Sequence, residues 1–307
     1  MNQETSFVHL NLHTEYSLID SVVRIEPLIE ACAKENMPAV AMTDRMNLFG
    51  LVKFYKACIG AGVKPITGTE IVMPNKARAI LLCKNNKGYH NVTKLISRSY
   101  LQRKGVEEPV VLPEWFDEPS ICEGLIMLSG AQYGDIGKNI LSGNSDEAKS
   151  LLKTWLKRFP DSYYFEIQRV GHAGEEQYIQ AALLLAEEFD VPVVATNAVR
   201  FLQGSDFAAH ETRVCIREGM TLNDKRRTQE YTPQQYLRSS EDMIHLFKDI
   251  PESIENSVEI YKRCNVELKL GASYLPNFPL PEGIGLDDYF AQKSQACLLY
   301  TSDAADE

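Results

Sequence analysis

His9, Asn11 and His13 occupy alternate positions of the stretch HLNLHTEYSLID, and Ser17 and Asp20 follow at a spacing that a loop could fold back. Imidazole nitrogens and a carboxylate brought together in this way are metal-ligand chemistry. An asparagine stands where a third histidine would complete the set. Farther along, Thr43 and Asp44, Glu70, Ser129, Glu166, and Thr196 and Asn197 fall at or near the carboxyl ends of short apolar runs. Parallel barrels and sheets gather their sites at those ends, so one pocket fed by several strands is expected. Asp, Ser, Thr and Asn also cap helices in such turns; any one of them alone reads as a cap, and it is the recurrence that points to a pocket.

The elements that must position these residues are short apolar strands alternating with amphipathic helices. FVHLNLH (7–13), AVAMTD (39–44), KPITGTEIV (64–72), AILLCK (79–84), GLIMLSG (124–130), YYFEIQR (163–169) and VPVVATN (191–197) read as strands. Ile25, Leu28, Ile29, Cys32 and Ala33, with Pro27 near the first turn, mark one helix. A second from about Asn47 carries Leu48, Leu51, Val52, Tyr55, Cys58 and Ile59 on one face, and DEAKSLLKTWLKRF and EEQYIQAALLLAEEFD are two more. Buried strands with helical returns predict an α/β fold, a parallel barrel or sheet.

Composition narrows the function. The chain has 307 residues, 44% of them hydrophobic, enough for a full core. No stretch has the length of a membrane span, and MNQETSFVHL lacks a secretory pattern, so a cytoplasmic protein is expected. Seven cysteines without a C-x-x-C pair read as small buried apolar residues rather than a zinc ribbon. A net charge of −10 gives the whole surface no footprint for nucleic acid. Asp161 with Glu166, and Glu175 with Glu176, read as solvated faces rather than acid and base pairs. Tyr163, Tyr164 and Phe165 read as core, and no phosphate-cradling G-x-x-x-x-G-K, nucleophile elbow or H-E-x-x-H occurs.

Several blocks taken in order carry a resemblance: FVHLNLHTEYSLID, AMTDRMNLFGLVKFYKACIGAGVKPITGTE, NNKGYHNVTKLISRSY, GLIMLSG, VPVVATNAVRF and YTPQQYLRSSEDM. From about Ser6 to Gln295 the chain resembles the PHP (polymerase and histidinol phosphatase) domain at the front of bacterial replicative, C-family polymerase alpha subunits. The resemblance implies a distorted seven-stranded, TIM-like β/α barrel. In members with an intact site it also implies up to three metal ions at the carboxyl ends of the strands.

Compared with that pattern, the ligand set is depleted. The H-x-H motif reads Asn11 and His13, and its downstream aspartate is Asp20. T-D-H-G reads Thr43, Asp44, Arg45, Met46; the G-x-E glutamate is Glu70. Arg78 takes the next histidine position, His90 being displaced into the following helix; Ala131 replaces the S-G-C cysteine, and T-N-D-x-H ends in Ala198 and Arg200. His13, Asp20 and Glu70 alone remain of nine ligands. A guanidinium only donates hydrogen bonds and stays charged, so it cannot ligate. Three arginines where histidines held cations predict an ion-pair network of Arg45, Arg78 and Arg200 with Asp20 and Glu70, and neither a bound metal nor a catalytic group in this part of the molecule.

The expected organisation is a PHP domain over 1–269, the start of a polymerase palm over 270–296, and a tail over 297–307 that reads as adapter-derived and unstructured. Magnesium would belong to palm aspartates, none of which are present here. The resemblance further implies a scaffold that docks the proofreading exonuclease subunit of the polymerase III holoenzyme, with DNA held through other domains and no membrane partner. An active metal-dependent phosphoesterase or intrinsic 3′–5′ proofreading nuclease is the alternative, and it requires the missing ligands.

Overall fold

The structure is a computed structural model that describes residues 6–103, 105, 108–227, 229–273 and 278–303. Residues 1–5 of the expected first domain, 274–277 of the palm lead-in and 304–307 of the tail lie outside the described residues. The chain divides into two compact units, Met1–Glu267 and Leu268–Glu307.

The first unit is an α/β barrel built from a curled sheet. Its strands are β1 (Ala39–Met42), β2 (Lys64–Met73), β3 (Ala77–Cys83), β4 (Leu125–Leu128), β5 (Tyr163–Gln168) and β6 (Val193–Thr196), hydrogen-bonded in sequence order. β1 and β2 are parallel, as are β4, β5 and β6, but β3 runs antiparallel to both its neighbours. This departs from the all-parallel expectation. Only the short turn Pro74–Lys76 joins β2 to β3, and a link that short makes a hairpin, because a parallel return needs a crossover of a dozen residues or more.

Among the described residues six strands form where seven were expected. Segment 7–13 is extended, yet it pairs only through isolated bridges, His9 with Val40 and Leu12 with Val199. The Ala41 amide donates to His9 O at 2.9 Å and the Thr43 amide to Leu12 O at 2.9 Å; on the other side the Val199 amide donates to Asn11 O at 3.0 Å and the His13 amide to Val199 O at 3.0 Å. The segment thus lies between β1 and the chain leaving β6, closing the sheet on itself. Inside, alternate residues of the segment and of every strand (Val8 and Leu10, Ala39 and Ala41, Ile66, Ile80 and Leu82, Ile126 and Leu128, Tyr164, Val194) form one buried cluster, as period-two alternation requires. Ile260 of α10 (Pro251–Arg263; helices are numbered in chain order) joins the cluster together with Cys264.

Helices α1 (Ile25–Lys34), α2 (Leu51–Ala61), α3 (Asn86–Gln102), α4 (Pro119–Cys122), α5 (Asp135–Leu141), α6 (Ser145–Arg158), α7 (Glu175–Phe189), α8 (Phe207–Glu218) and α9 (Ser240–Leu246) complete this unit. α2 buries Leu51, Phe54 and Cys58 and leaves Val52 and Ile59 exposed, so its apolar face is narrower than the sequence suggested. In the second unit α11 spans Leu286–Asp303, so residues 297–303 continue a helix where an unstructured tail was expected; Ala296, Leu298 and Leu299 are good helix formers. Among the described residues no helix is long and apolar enough to cross a membrane.

Candidate functional site

The inward-facing parity of Ile66, Tyr164 and Val194 continues upward to Glu70, Glu166, Gln168 and Thr196, all buried. The barrel therefore ends in a layer of polar side chains lying on its apolar filling. His13 enters from the end of the closing segment and Asp20 from the loop that follows it, with His13 Nδ1 2.8 Å from Asp20 Oδ1 and Nε2 3.6 Å from Glu70 Oε2. Asp20 and Glu70 thus sit at opposite ring nitrogens. His9 stays outside this layer, donating from Nε2 to Arg238 O at 2.9 Å, and burial drops its pKa to about 4.

The three arginines converge on these acids, at ion-pair rather than hydrogen-bond distances. Arg45 Nε lies 3.9 Å and Arg78 Nε 4.0 Å from Glu70 Oε1, while Arg200 reaches Glu70 Oε2 at 3.6 Å through Nη2 and Asp20 Oδ2 at 3.7 Å through Nε. Their tight contacts go elsewhere. Arg45 Nη2 bonds Glu108 at 2.8 Å, Arg78 Nη2 bonds Glu230, and Arg200 Nη1 bonds Val199 O at 3.0 Å and Asn11 Oδ1 at 3.3 Å. The expected contacts of charge-assisted length are therefore made to Glu108 and Glu230, residues of irregular loops without periodic signal in the sequence. Tyr231 reaches Asp20 Oδ2 from the second of these loops at 3.3 Å.

Electrostatics follows from this arrangement. Burial alone would raise the Asp20 and Glu70 carboxyls, but the neighbouring His13 and the arginines outweigh it, holding Asp20 well below the usual range and Glu70 below it. Glu166 behaves oppositely: burial keeps its pKa raised despite bonds from Asn11, Thr196 and Gln168, and Glu70 adds to the rise. All three donors meet Glu166 Oε1, at 2.8, 2.6 and 2.9 Å, and among the described residues Oε2 has no hydrogen-bond partner. Its solvated-face assignment is overturned by complete burial in the middle of β5. Glu175 is also buried, taking the Val170 and Gly171 amides, whereas Glu176 is exposed and pairs with Arg169. Asp44 closes the loop above the site, accepting from the Thr14 amide and hydroxyl and from Ser17.

Ala131 and Ala198 contribute no polar side-chain atom. Both hold left-handed backbone, φ 49° and 43°, and so does Met46, at φ 53°, which stands in the glycine position of the T-D-H-G pattern. Gly130 beside Ala131 also has positive φ (77°), and its backbone passes so close to the Arg78 carbonyl that a Cβ there would lie 2.0 Å from the oxygen. Left-handed backbone at a residue with a side chain costs roughly 1–2 kcal/mol.

The donor set does not fit the metal cluster of the resemblance. Oxygen and nitrogen lone pairs must converge on each ion, whereas here the acids face guanidinium groups and His13 separates Asp20 from Glu70. Among the described residues no group of three or more His, Cys, Asp or Glu side chains is arranged to hold a metal ion. The pocket lined by Asn11, Glu70, Arg78, Glu166, Arg200 and Tyr231 has about 20 Å³ of free space, the room of roughly one water.

Residues 9–170 match the PHP domain family. The DNA polymerase III subunit alpha of Pseudomonas fluorescens is 50% identical over 297 residues, covering 94% of this chain and 25% of the relative. That of Escherichia coli K12 is 45% identical over 298 residues, covering 95% and 25%. The chain therefore spans about a quarter of the length of these curated relatives. The lesion-specific endonuclease of Pyrococcus furiosus shares 13% identity at a TM-score of 0.41, covering 64% of this chain and 48% of that one.

Proposed function

The chain belongs to the PHP domain family, and from that membership we propose that it forms the amino-terminal part of a cytoplasmic replicative DNA polymerase alpha subunit. In this reading the barrel is a scaffold rather than a hydrolase. The observation that carries it is the set of three guanidinium groups around Glu70, which supply in fixed form the positive charge that metal ions would otherwise bring. The scaffold docks the proofreading exonuclease subunit of the holoenzyme, so proofreading is supplied in trans. DNA and magnesium are held by other parts of the polymerase, including a palm that begins within 270–296. Residues 297–307 are an adapter-derived appendage.

Two measurements on the purified chain test the reading. Zinc, manganese and iron are counted by elemental mass spectrometry after dialysis without chelator, and binding of the purified exonuclease subunit is followed by analytical ultracentrifugation. Near-zero metal with a stable complex supports the scaffold. Tightly held ions together with hydrolysis of a phosphomonoester would establish the metal-dependent phosphoesterase in its place.

A further inference from the structure

Away from the barrel mouth, two grooves flank the segment 113–122. One, of about 440 Å³, lies against α3 and is lined by Lys94, Arg98, Leu101 and Ile121; the other, of about 570 Å³, lies against α6 and is lined by Phe116, Pro119, Lys153 and Lys157. The segment between them supplies one wall of each.

The charge on the outer walls runs against that of the whole chain. α3, Asn86–Gln102, holds Lys87, Lys94 and Arg98 and no acidic residue, and α6 has none from Lys149 to its end at Arg158, in a chain of net charge −10. Arg98 is fixed with its guanidinium 4.3 Å above the Trp115 ring. Lys94 and Lys157 are exposed, and neither forms an ion pair among the described residues. Leu101 is 85% exposed at the groove edge, although nearby Ile121 and Phe116 are buried. Apolar recesses edged by unpaired lysines call for a ligand with apolar anchors and negative charge around them.

We propose that this paired groove docks an acidic, amphipathic segment of a partner protein. Its leucine-like side chains enter the two recesses and its carboxylates meet Lys94 and Lys157. A phosphodiester backbone suits the surface less well. Trp115 and Phe116, the aromatic side chains of the dividing segment, are both buried and offer no face for a base to stack on, and Arg158 is committed to Asp117 at 2.7 Å. Asp117 and Glu118, which line the recesses, repel carboxylates and phosphates alike, so the acids of the docked segment lie toward Lys94 and Lys157 and away from the dividing segment. The proposal stands independently of the barrel's role.

The test uses the full chain and a fluorescein-labelled synthetic peptide in which leucine pairs alternate with Asp-Glu pairs, read by fluorescence anisotropy. The same peptide with lysine in place of its acids and an oligothymidylate are the controls. Expected are saturable binding of the acidic peptide, weakening with salt, and a loss of roughly tenfold in affinity for Lys94→Glu and for Lys157→Glu. Lys56→Glu on α2 should leave binding unchanged, and thermal melts matching the parent show that each variant is folded. The proposal is overturned if the acidic peptide does not bind, if the lysine peptide or the oligothymidylate binds as tightly, or if the folded variants bind like the parent.

Discussion

Asn11 donates its side-chain amide to Glu166 Oε1 at 2.8 Å, and its carbonyl oxygen accepts from Arg200 Nη1 at 3.3 Å. One short side chain thus joins a buried acid to a buried cation, which explains an asparagine in a stretch that otherwise reads as histidine-rich. Replacing Asn11 with alanine removes one of three donors to Glu166 and the side-chain acceptor of Arg200. The expected cost is about 1–3 kcal/mol, measured by urea unfolding, with an unchanged midpoint the contrary result.

Glu166 stores a penalty that depends on pH. Its folded-state pKa is raised, so the folded chain binds the proton more tightly than the unfolded one and stability falls as pH rises from the ordinary glutamate value through the folded value. Glu166→Gln removes this titration, keeps an oxygen for the three donors and turns an amide toward the unpartnered side. At pH 8 the variant should be more stable than the parent by about 1 kcal/mol, with the gain shrinking at pH 5. A variant equally destabilised at both pH values would contradict this.

Asp20 and Glu70 titrate with the opposite sign. Their depressed pKa values mean that their contribution is complete above the ordinary carboxylate range and is lost as pH falls through the folded values. Glu70→Ala removes the acid that Arg45, Arg78 and Arg200 share and leaves them, among the described residues, only Glu108, Glu230 and Asp20 as acidic partners, with an expected loss of ~3–5 kcal/mol and a flatter acid limb in stability against pH. A melting curve like that of the parent would remove Glu70 from the centre of the network.

Backbone strain at two of the changed positions gives a prediction of the reverse direction. Ala131→Gly and Ala198→Gly relieve left-handed conformations at the cost of a more flexible unfolded chain, so each should stabilise by about 0.5–1 kcal/mol. Denaturant midpoints that move down for both would show that their alanine methyl groups matter more than the backbone does.

A chelator should do nothing. With arginines supplying the charge, excess EDTA should leave the melting temperature within about 1 °C, because a ligand stabilises only by binding the folded state. A fall of several degrees, restored by zinc or manganese, would reinstate a metal.

Much of this arrangement is legible in the residues. Period-two alternation marks the barrel interior, and Glu70 and Glu166 share its parity. The antiparallel β3 ran against the parallel expectation, although the few residues separating KPITGTEIV from AILLCK are too few for a crossover and carried the signal. The closing segment reads as a strand because its alternation is that of one, but whether a strand pairs continuously or through single bridges depends on partners nearly two hundred residues away. Glu108 and Glu230 left no signal: each is one charged residue in an irregular loop, and only the folded chain shows which cation it meets. The exposure of Val52 and Ile59 was hidden for a related reason, since a helix face that looks apolar in sequence need not be the face that packs.

The bridges of segment 7–13 to both Val40 and Val199 also constrain how the protein is made. Within the barrel, the stave that completes the ring is synthesised before the six strands, and its second neighbour, Val199, follows them. Until Val199 has cleared the exit tunnel the nascent sheet keeps two open edges and an uncovered apolar lining, a state prone to mispairing. Slow synthesis therefore prolongs the exposed stage, and a chaperone that shields segment 7–13 would act on the very piece that later seals the barrel.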